Sequence, residues 1–304
     1  MIETIPAALD GERLDRVVSL ITGLSRSAAA ELVASAGVML DGSVATSGKG
    51  RVHEGQQVEV VGSITIVDHR PEADESVRVN IVYEDDDVIV VDKPEGLVVH
   101  PGPGNEGGTL VNGLLAVYPE IATVGEELRP GIVHRLDKGT SGLLVVARTQ
   151  RAYESLTAQL AARQAGRQYA ALVWGIPEVA SGLVDAPIGR SPRDPLRMAV
   201  VADGKEARTR YDVRKAFTEP VEAALVECRL ETGRTHQIRV HLLAIGHPVV
   251  GDPVYTGIVR VGIDAPRPML HAERLSFLHP ADDRPMQFSS PWPADLLAVL
   301  AGLS

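Results

Sequence analysis

The residues best suited to chemistry lie in one stretch, His134-Arg135-Leu136-Asp137-Lys138-Gly139-Thr140-Ser141-Gly142, followed by the apolar run 143–147. A lone carboxylate, Asp137, stands between the bases Arg135 and Lys138. A Gly-Thr-Ser-Gly turn and a β-type run come next. This is how a reactive side chain is set on a loop and backed by a buried strand. An ordinary turn carrying an Asp–Arg surface pair has the same composition, and this stretch by itself does not choose between the two.

A second stretch, Thr232-Gly233-Arg234-Thr235-His236-Gln237-Ile238-Arg239-Val240-His241-Leu242-Leu243, reads as a turn running into a helix. Thr235 is suited to cap it and Gly246 to end it. Arg239, Leu242 and Leu243 then share a face. An arginine on an apolar side requires a carboxylate partner, because an unpaired buried charge is too costly. His236 and His241 are five apart without a matched third ligand, so no metal site is expected. The single cysteine, Cys228, excludes a disulfide framework and a Cys-based zinc site. Residues 101–110 are Gly-rich but end in no Gly-Lys-Ser/Thr and contain no G-x-G-x-x-G opening a helix. They read as the rim of a site and not as a nucleotide loop. The acidic run 84–87 reads as a solvated turn, since consecutive residues at a strand end point in alternate directions.

The elements that must hold these residues follow from periodicity. Leu14, Val17, Val18 and Ile21 repeat as a helix that Gly23 breaks, and Ser25 is placed to cap a second helix bearing Ala29, Leu32 and Val33. Short strands follow, at 38–40 before Asp41-Gly42 and at 58–61. Residues 62–77 have little periodicity and read as a linker. Beyond them come strands at 79–82 and 88–91. Leu110, Leu114, Leu115 and Tyr118 repeat as a helix that stops before Pro119. Thr149 caps a helix bearing Tyr153, Leu156 and Leu160. Further strands lie at 167–174, near 205–211, at 223–230 and from 270, and a short helix enters through Pro293. Tyr169, on the first of these strands, has the bland alternative of a core tyrosine.

With 304 residues and 44% hydrophobic content, the chain has room for one large domain or two unequal ones. The start Met1-Ile2-Glu3-Thr4 is no signal peptide, and no apolar run nears the ~20 residues of a spanning helix. A cytoplasmic protein without membrane association is expected. The net charge is −10. Its distribution is uneven: residues 66–87 carry eight acids against two bases, whereas residues 134–239 carry 17 Lys and Arg against 12 Asp and Glu. A basic stretch inside an acidic protein suits a focused surface for an anionic ligand. The loop 185–204, with Arg190, Arg193 and Arg197 among prolines, fits an RNA backbone.

Four motifs stand in one order: Lys93-Pro94-Glu95-Gly96-Leu97-Val98-Val99-His100, His134-Arg135-Leu136-Asp137, Tyr169-Ala170-Ala171-Leu172-Val173, and Thr232-Gly233-Arg234-Thr235-His236-Gln237-Ile238-Arg239. With Gly246-His247-Pro248 and Gly251-Asp252 behind them, they resemble the RluA family of pseudouridine synthases. In front, Arg13-Leu14-Asp15, Leu24-Ser25-Arg26-Ser27, 37–42 and Glu54-Gly55-Gln56 resemble the S4 RNA-binding module. That module draws the likeness toward the family's large-subunit rRNA enzymes. The resemblance implies an α+β chain: an S4-like module at 1–65, a linker at 66–77, and a catalytic domain at 78–304 built on a mixed, largely antiparallel sheet with flanking helices. It implies conversion of uridine to pseudouridine without metal or organic cofactor, on 23S rRNA, as a stem-loop or within a pre-ribosomal large subunit; the oligomeric state is not readable from sequence, and a monomer is the default expectation. Asp137 would be the nucleophile, Arg239 its charge partner, and Tyr169 the ring that stacks on a flipped uracil. Arg135 would fill the gap left by the flipped base. Ile238 and Leu270 would wall the pocket, with His134 and Arg234 as further substrate contacts. In the S4-like module, Arg13, Ser25 and Arg26 would face RNA. The same chemistry on tRNA, a non-catalytic RNA-binding or ribosome-assembly factor, and a glycoside hydrolase are the alternatives. The last needs two facing carboxylates, and only Asp137 carries a supporting motif.

Overall fold

In the computed structural model the chain divides into two compact units, Met1–His69 and Arg70–Ser304. The structure describes residues 1–24, 26–62, 70–102, 104–256 and 261–304. In the first unit, helices α1 (Leu14–Thr22) and α2 (Arg26–Ala34) pack with a four-stranded sheet of β1 (Ile2–Thr4), β2 (Val38–Leu40), β3 (Ser43–Val44) and β4 (Gln57–Val60), in the order β1-β4-β2-β3. Leu14, Val17 and Val18 of α1 bury against Ala29 and Val33 of α2 and Val38 and Val58 of the sheet. Helix α1 ends at Gly23 as its pattern predicts, in the left-handed conformation, with the Gly23 N–H bonded to the Ser19 carbonyl. The cap expected at Ser25 lies outside the described residues.

The second unit holds β5 (Ile81–Glu84), β6 (Val88–Lys93), α3 (Leu110–Val117), the hairpin β7 (Gly125–Glu126) and β8 (Arg129–Pro130), β9 (Ser141–Ala147) and α4 (Gln150–Ala161). It continues with β10 (Gly166–Trp174), β11 (Ser181–Asp185), the ribbon β12 (Ile188–Arg190) and β13 (Met198–Val200), β14 (Arg208–Phe217), β15 (Ala223–Leu230), α5 (Gln237–Ala244), β16 (Leu270–Leu278), β17 (Pro285–Ser289) and α6 (Ala294–Ala301). The main sheet runs β11-β14-β15-β10-β16-β9-β6-β5, with β17 pairing β16. Every pair is antiparallel except β9 with β16. The expected mixed, largely antiparallel sheet is present.

Both faces of this sheet are covered, which is why its central strands read as unbroken apolar runs. Ile89, Val91, Leu144, Val146, Ala171 and Val173 face α3 and α5, where Leu110, Leu114, Ile238 and Leu242 meet them. Val88, Val90, Leu143 and Val145 face the other way, toward Leu156 of α4 and Phe277. Farther along that side, Leu172, Trp174 and Leu225 pack on Leu296 of α6. Thr149 caps α4 through its side chain, accepting from the Ala152 N–H at 3.1 Å. Residues 72–74, expected as linker, lie along α3: Asn112 Nδ2 donates to the Glu72 carbonyl at 2.7 Å and the Asp74 N–H to the Asn112 carbonyl at 2.9 Å. No helix among the described residues is long and apolar enough to cross a membrane.

Candidate active site

Asp137 sits on the turn that leads into β9, and the turn is held from several sides. The Thr140 N–H closes it onto the Asp137 carbonyl at 3.0 Å, and the Gly96 N–H reaches the Lys138 carbonyl at 2.8 Å. Arg267 donates to the Gly139 carbonyl at 3.1 Å. Just beyond, Gly142 has φ of 111° and lies where β9 meets β16; a Cβ there would come within 2.3 Å of the Ala272 carbonyl oxygen. Only glycine permits that approach. The neighbour Leu136 is buried, so the turn presents Asp137 and tucks its flank into the core.

Lys93, at the end of β6, adds a buried tie. Its ammonium donates to the carbonyls of Pro94 at 2.7 Å and Leu97 at 2.8 Å, with the Lys138 carbonyl at 3.5 Å. Burial brings its pKa down to about 8, against the opposing pull of the Asp137 charge. Three carbonyls around one ammonium join the loop after β6 to the loop that carries Asp137.

Arg239, on the first turns of α5, is buried and serves two carboxylates. Its Nη1 donates to Asp137 Oδ2 at 3.1 Å. Its Nε and Nη2 form a two-pronged pair with Asp252, at 2.6 and 2.9 Å. The Asp252 side chain is wholly buried and that of Asp137 is 18% exposed, so the outer carboxylate faces the cleft. Burial opposes the arginine's charge, but its bonds to Asp252 and the charge of Asp137 outweigh this and raise its pKa. Burial likewise opposes ionisation of Asp252, and Arg239 with two backbone N–H groups, of Val254 and Tyr255, prevails and lowers its pKa. The arginine expected to need a carboxylate therefore has two, and the buried one is its main partner.

Around this centre lies an open cleft of about 340 Å³, lined among others by Arg135, Asp137, Tyr169, Arg234, Ile238 and Leu270. Tyr169 projects from β10 beside a bulge in β16, where Glu273 is the extra residue. It is 5% exposed, and burial pushes its pKa up to about 12. Ile238 and Leu270 are buried in the wall. Arg135 is exposed at the rim, its Nη1 3.4 Å from His100 Nε2. His100 is kept neutral, since burial and then the Arg135 charge bring its pKa to about 4. Arg234 bonds the Glu206 carbonyl through Nε at 2.9 Å. His134 faces inward instead: its Nε2 accepts the Val145 N–H at 3.2 Å.

In the first unit, Arg13 is engaged by Asp15, which accepts from both its Nε and its Nη2. Ser25 and the side chain of Arg26 lie outside what is described. Helix α5 starts one residue later than Thr235 suggested: His236 is its N-cap, left-handed at φ 57°, and Leu243 turns outward while Leu242 is buried. Four residues at the site had no role assigned from sequence. They are Lys93, His236, Asp252 and Tyr255. His236 Nδ1 meets the Tyr255 hydroxyl at 2.8 Å and its Nε2 lies 3.9 Å from Asp137 Oδ1. The Arg239 guanidinium stacks over the Tyr255 ring at 4.9 Å. The turn Gly251-Asp252-Pro253 was the one available signal, because an Asp before Pro commonly bonds N–H groups two and three residues on.

The chain matches the family model described as RNA pseudouridylate synthase over residues 87–244, a span that includes Asp137, Tyr169 and Arg239. It is 45% identical to ribosomal large subunit pseudouridine synthase D of Xanthomonas campestris pv. campestris, covering 98% of this chain and 91% of that one. The identically named protein of Nitrosomonas europaea is also 45% identical, with 99% and 87% covered. Among solved structures, human RNA pseudouridylate synthase domain containing 1 superposes with a TM-score of 0.59 at 28% identity, over 77% of this chain and 91% of that chain. Such likeness over nearly the whole length, joined to a cleft with one ionisable carboxylate held by a buried arginine, places this chain in the RluA-type RNA pseudouridine synthase family, enzymes that isomerise uridine in RNA to pseudouridine.

Proposed function

We propose that this enzyme modifies uridine in large-subunit rRNA, with Asp137 as its nucleophile. The observation that carries the reading is the double pairing of Arg239. Asp252 fixes the guanidinium from behind, and the guanidinium donates to Asp137 at the mouth of the cleft. A carboxylate so held can open the N1–C1′ bond, by attack on the nucleotide or by drawing a proton from the sugar. The freed uracil turns while Tyr169 holds its face, and C5 then bonds C1′. The C5 proton finally leaves and N1 gains one, so the product is an isomer of the substrate. Ile238 and Leu270 keep water from the detached base, and Arg135 at the rim takes the place of the flipped nucleotide in the RNA.

The rRNA assignment rests on likeness to relatives named for the ribosomal large subunit. It also rests on the small α/β unit in front, which we read as an S4-like module at residues 1–65 whose Arg13, Ser25 and Arg26 face RNA. Cytoplasmic location and a monomeric state complete the proposal. Mapping pseudouridine in rRNA and tRNA from a strain lacking this protein, against its parent, tests it. Loss of one or more sites in large-subunit rRNA is expected. Loss confined to tRNA would overturn the substrate assignment.

A further inference from the structure

Arg167 stands out among the buried charges of the second unit. It is 8% exposed, yet among the described residues no carboxylate pairs with it and its buried Nε–H has no hydrogen-bond acceptor. An arginine in that position normally costs several kcal/mol unless something neutralises it. Arg214, Arg239 and Arg267, also buried or half-buried, all have carboxylate partners. The neighbourhood of Arg167 is short of acceptors in a second way. His134 spends Nε2 on the Val145 N–H, so its ring proton is on Nδ1, and Nδ1 is buried without a partner. Arg167 is close enough to His134 for its charge to depress the imidazole pKa, and close enough to Arg234 for the two cations to oppose each other.

The setting shows where an acceptor would enter. Arg167 and Tyr169 are two apart on β10 and so share the sheet face that floors the cleft. The exposed Gly233 lies directly over the guanidinium: a Cβ there would fall 2.7 Å from Nη1. The guanidinium is thus covered on this side by a residue without a side chain, between Tyr169 and the Arg234 rim.

We propose that Arg167 and the His134 Nδ1–H, with Arg234 above them, form an anion subsite for one RNA phosphodiester flanking the target uridine. Two non-bridging oxygens suit a guanidinium fork plus one neutral donor. The subsite would anchor the backbone while the base swings into the cleft, which makes Arg167 a positioning residue. The idea rests on the RNA-modifying function of this same site. Its test therefore starts from an RNA fragment that the wild-type enzyme demonstrably converts, so that failure of the broader reading shows first.

The fragment is prepared with a single uncharged methylphosphonate at each phosphate around the target in turn. For wild type, one position should lower kcat/KM by roughly 10- to 100-fold, the worth of one charge-assisted contact. Arg167→Met should lose about the same factor on unmodified RNA and lose nothing more at that position, while remaining sensitive at others. Its melting temperature should not fall, because an unpaired buried charge has been removed; Arg167→Gln replaces it if the methionine variant does not fold. Equal penalties in wild type and variant at every linkage would overturn the proposal, as they would if Arg167 bonded a uracil carbonyl instead. Full activity of the variant on unmodified RNA would overturn it equally.

Discussion

Arg239 serves two carboxylates that differ in what each contributes. Asp252 is wholly buried and takes two of the guanidinium's donors; Asp137 takes one and faces the cleft. Removing the inner carboxylate leaves the buried cation with only its single bond to Asp137, so Asp252→Ala should cost about 3 kcal/mol in urea unfolding, the low end for a broken buried pair, and cut turnover as Arg239 loses its anchor. His134 gives a pH signature. Burial holds its folded pKa at about 3 against 6.5 unfolded. Below pH 6.5 the unfolded chain therefore takes up a proton that the folded chain refuses, and stability falls as pH drops toward 3, by at most about 1.4 kcal/mol per unit. His134→Gln should flatten that slope in melts taken across the same range. At this scale Asp137 and Arg239 were legible because both lie in dense local motifs. Asp252 was not identified as the partner, because pattern and spacing do not reveal which distant carboxylate reaches a given arginine. Nor was the burial of Arg167, whose strand start alternates like any solvent-facing edge.

The elements act as clamps on the Asp137 turn. Lys93 at the end of β6, the Gly142 contact between β9 and β16, and Arg267 before β16 converge on residues 137–142. Gly142→Ala would force a Cβ against the Ala272 backbone at a positive φ. Overpacking of this kind costs about 1–3 kcal/mol, and the shift should also misplace Asp137. Chemical unfolding and single-turnover pseudouridine formation should fall together, whereas an alanine at exposed Gly302 after α6, whose Cβ would meet only the Val299 carbonyl at 3.5 Å, should leave both unchanged. Helix and strand positions were largely readable from periodicity, since apolar spacing reports which faces are buried. The parallel pairing of β9 with β16 was not readable. These strands are more than a hundred residues apart, and local pattern carries no information about register between them.

Over the whole molecule, acids outnumber bases both in front and behind, and the basic excess that favours RNA is confined to residues 134–239. The first 65 residues carry eight acids against five bases, and Arg13 is already engaged by Asp15. The first unit has its own apolar core, so it can be examined alone. Residues 1–69 should bind a large-subunit rRNA fragment no more tightly than nonspecific binders do at physiological salt, with Kd in the range of roughly 10⁻⁴–10⁻⁶ M. Filter binding at graded salt measures this. A much tighter Kd would mean that the front unit, and not the cleft, selects the RNA. Division of the chain into a small leading unit and a large one was legible from the Pro-containing acidic stretch near residue 70. Its boundary was harder to place, because residues 72–74 pack along α3 through backbone groups, which no side-chain pattern records.

The central claim is that Asp137 performs the chemistry while the fold stands without it. Asp137→Asn leaves the Arg239–Asp252 pair in place, so the variant should melt within a few degrees of wild type and bind the rRNA fragment with similar affinity. Its pseudouridine yield under single-turnover conditions should fall by about 10⁴-fold or more, as for loss of an essential nucleophile. Pseudouridine formed at close to the wild-type rate by the folded Asp137→Asn enzyme would contradict the account.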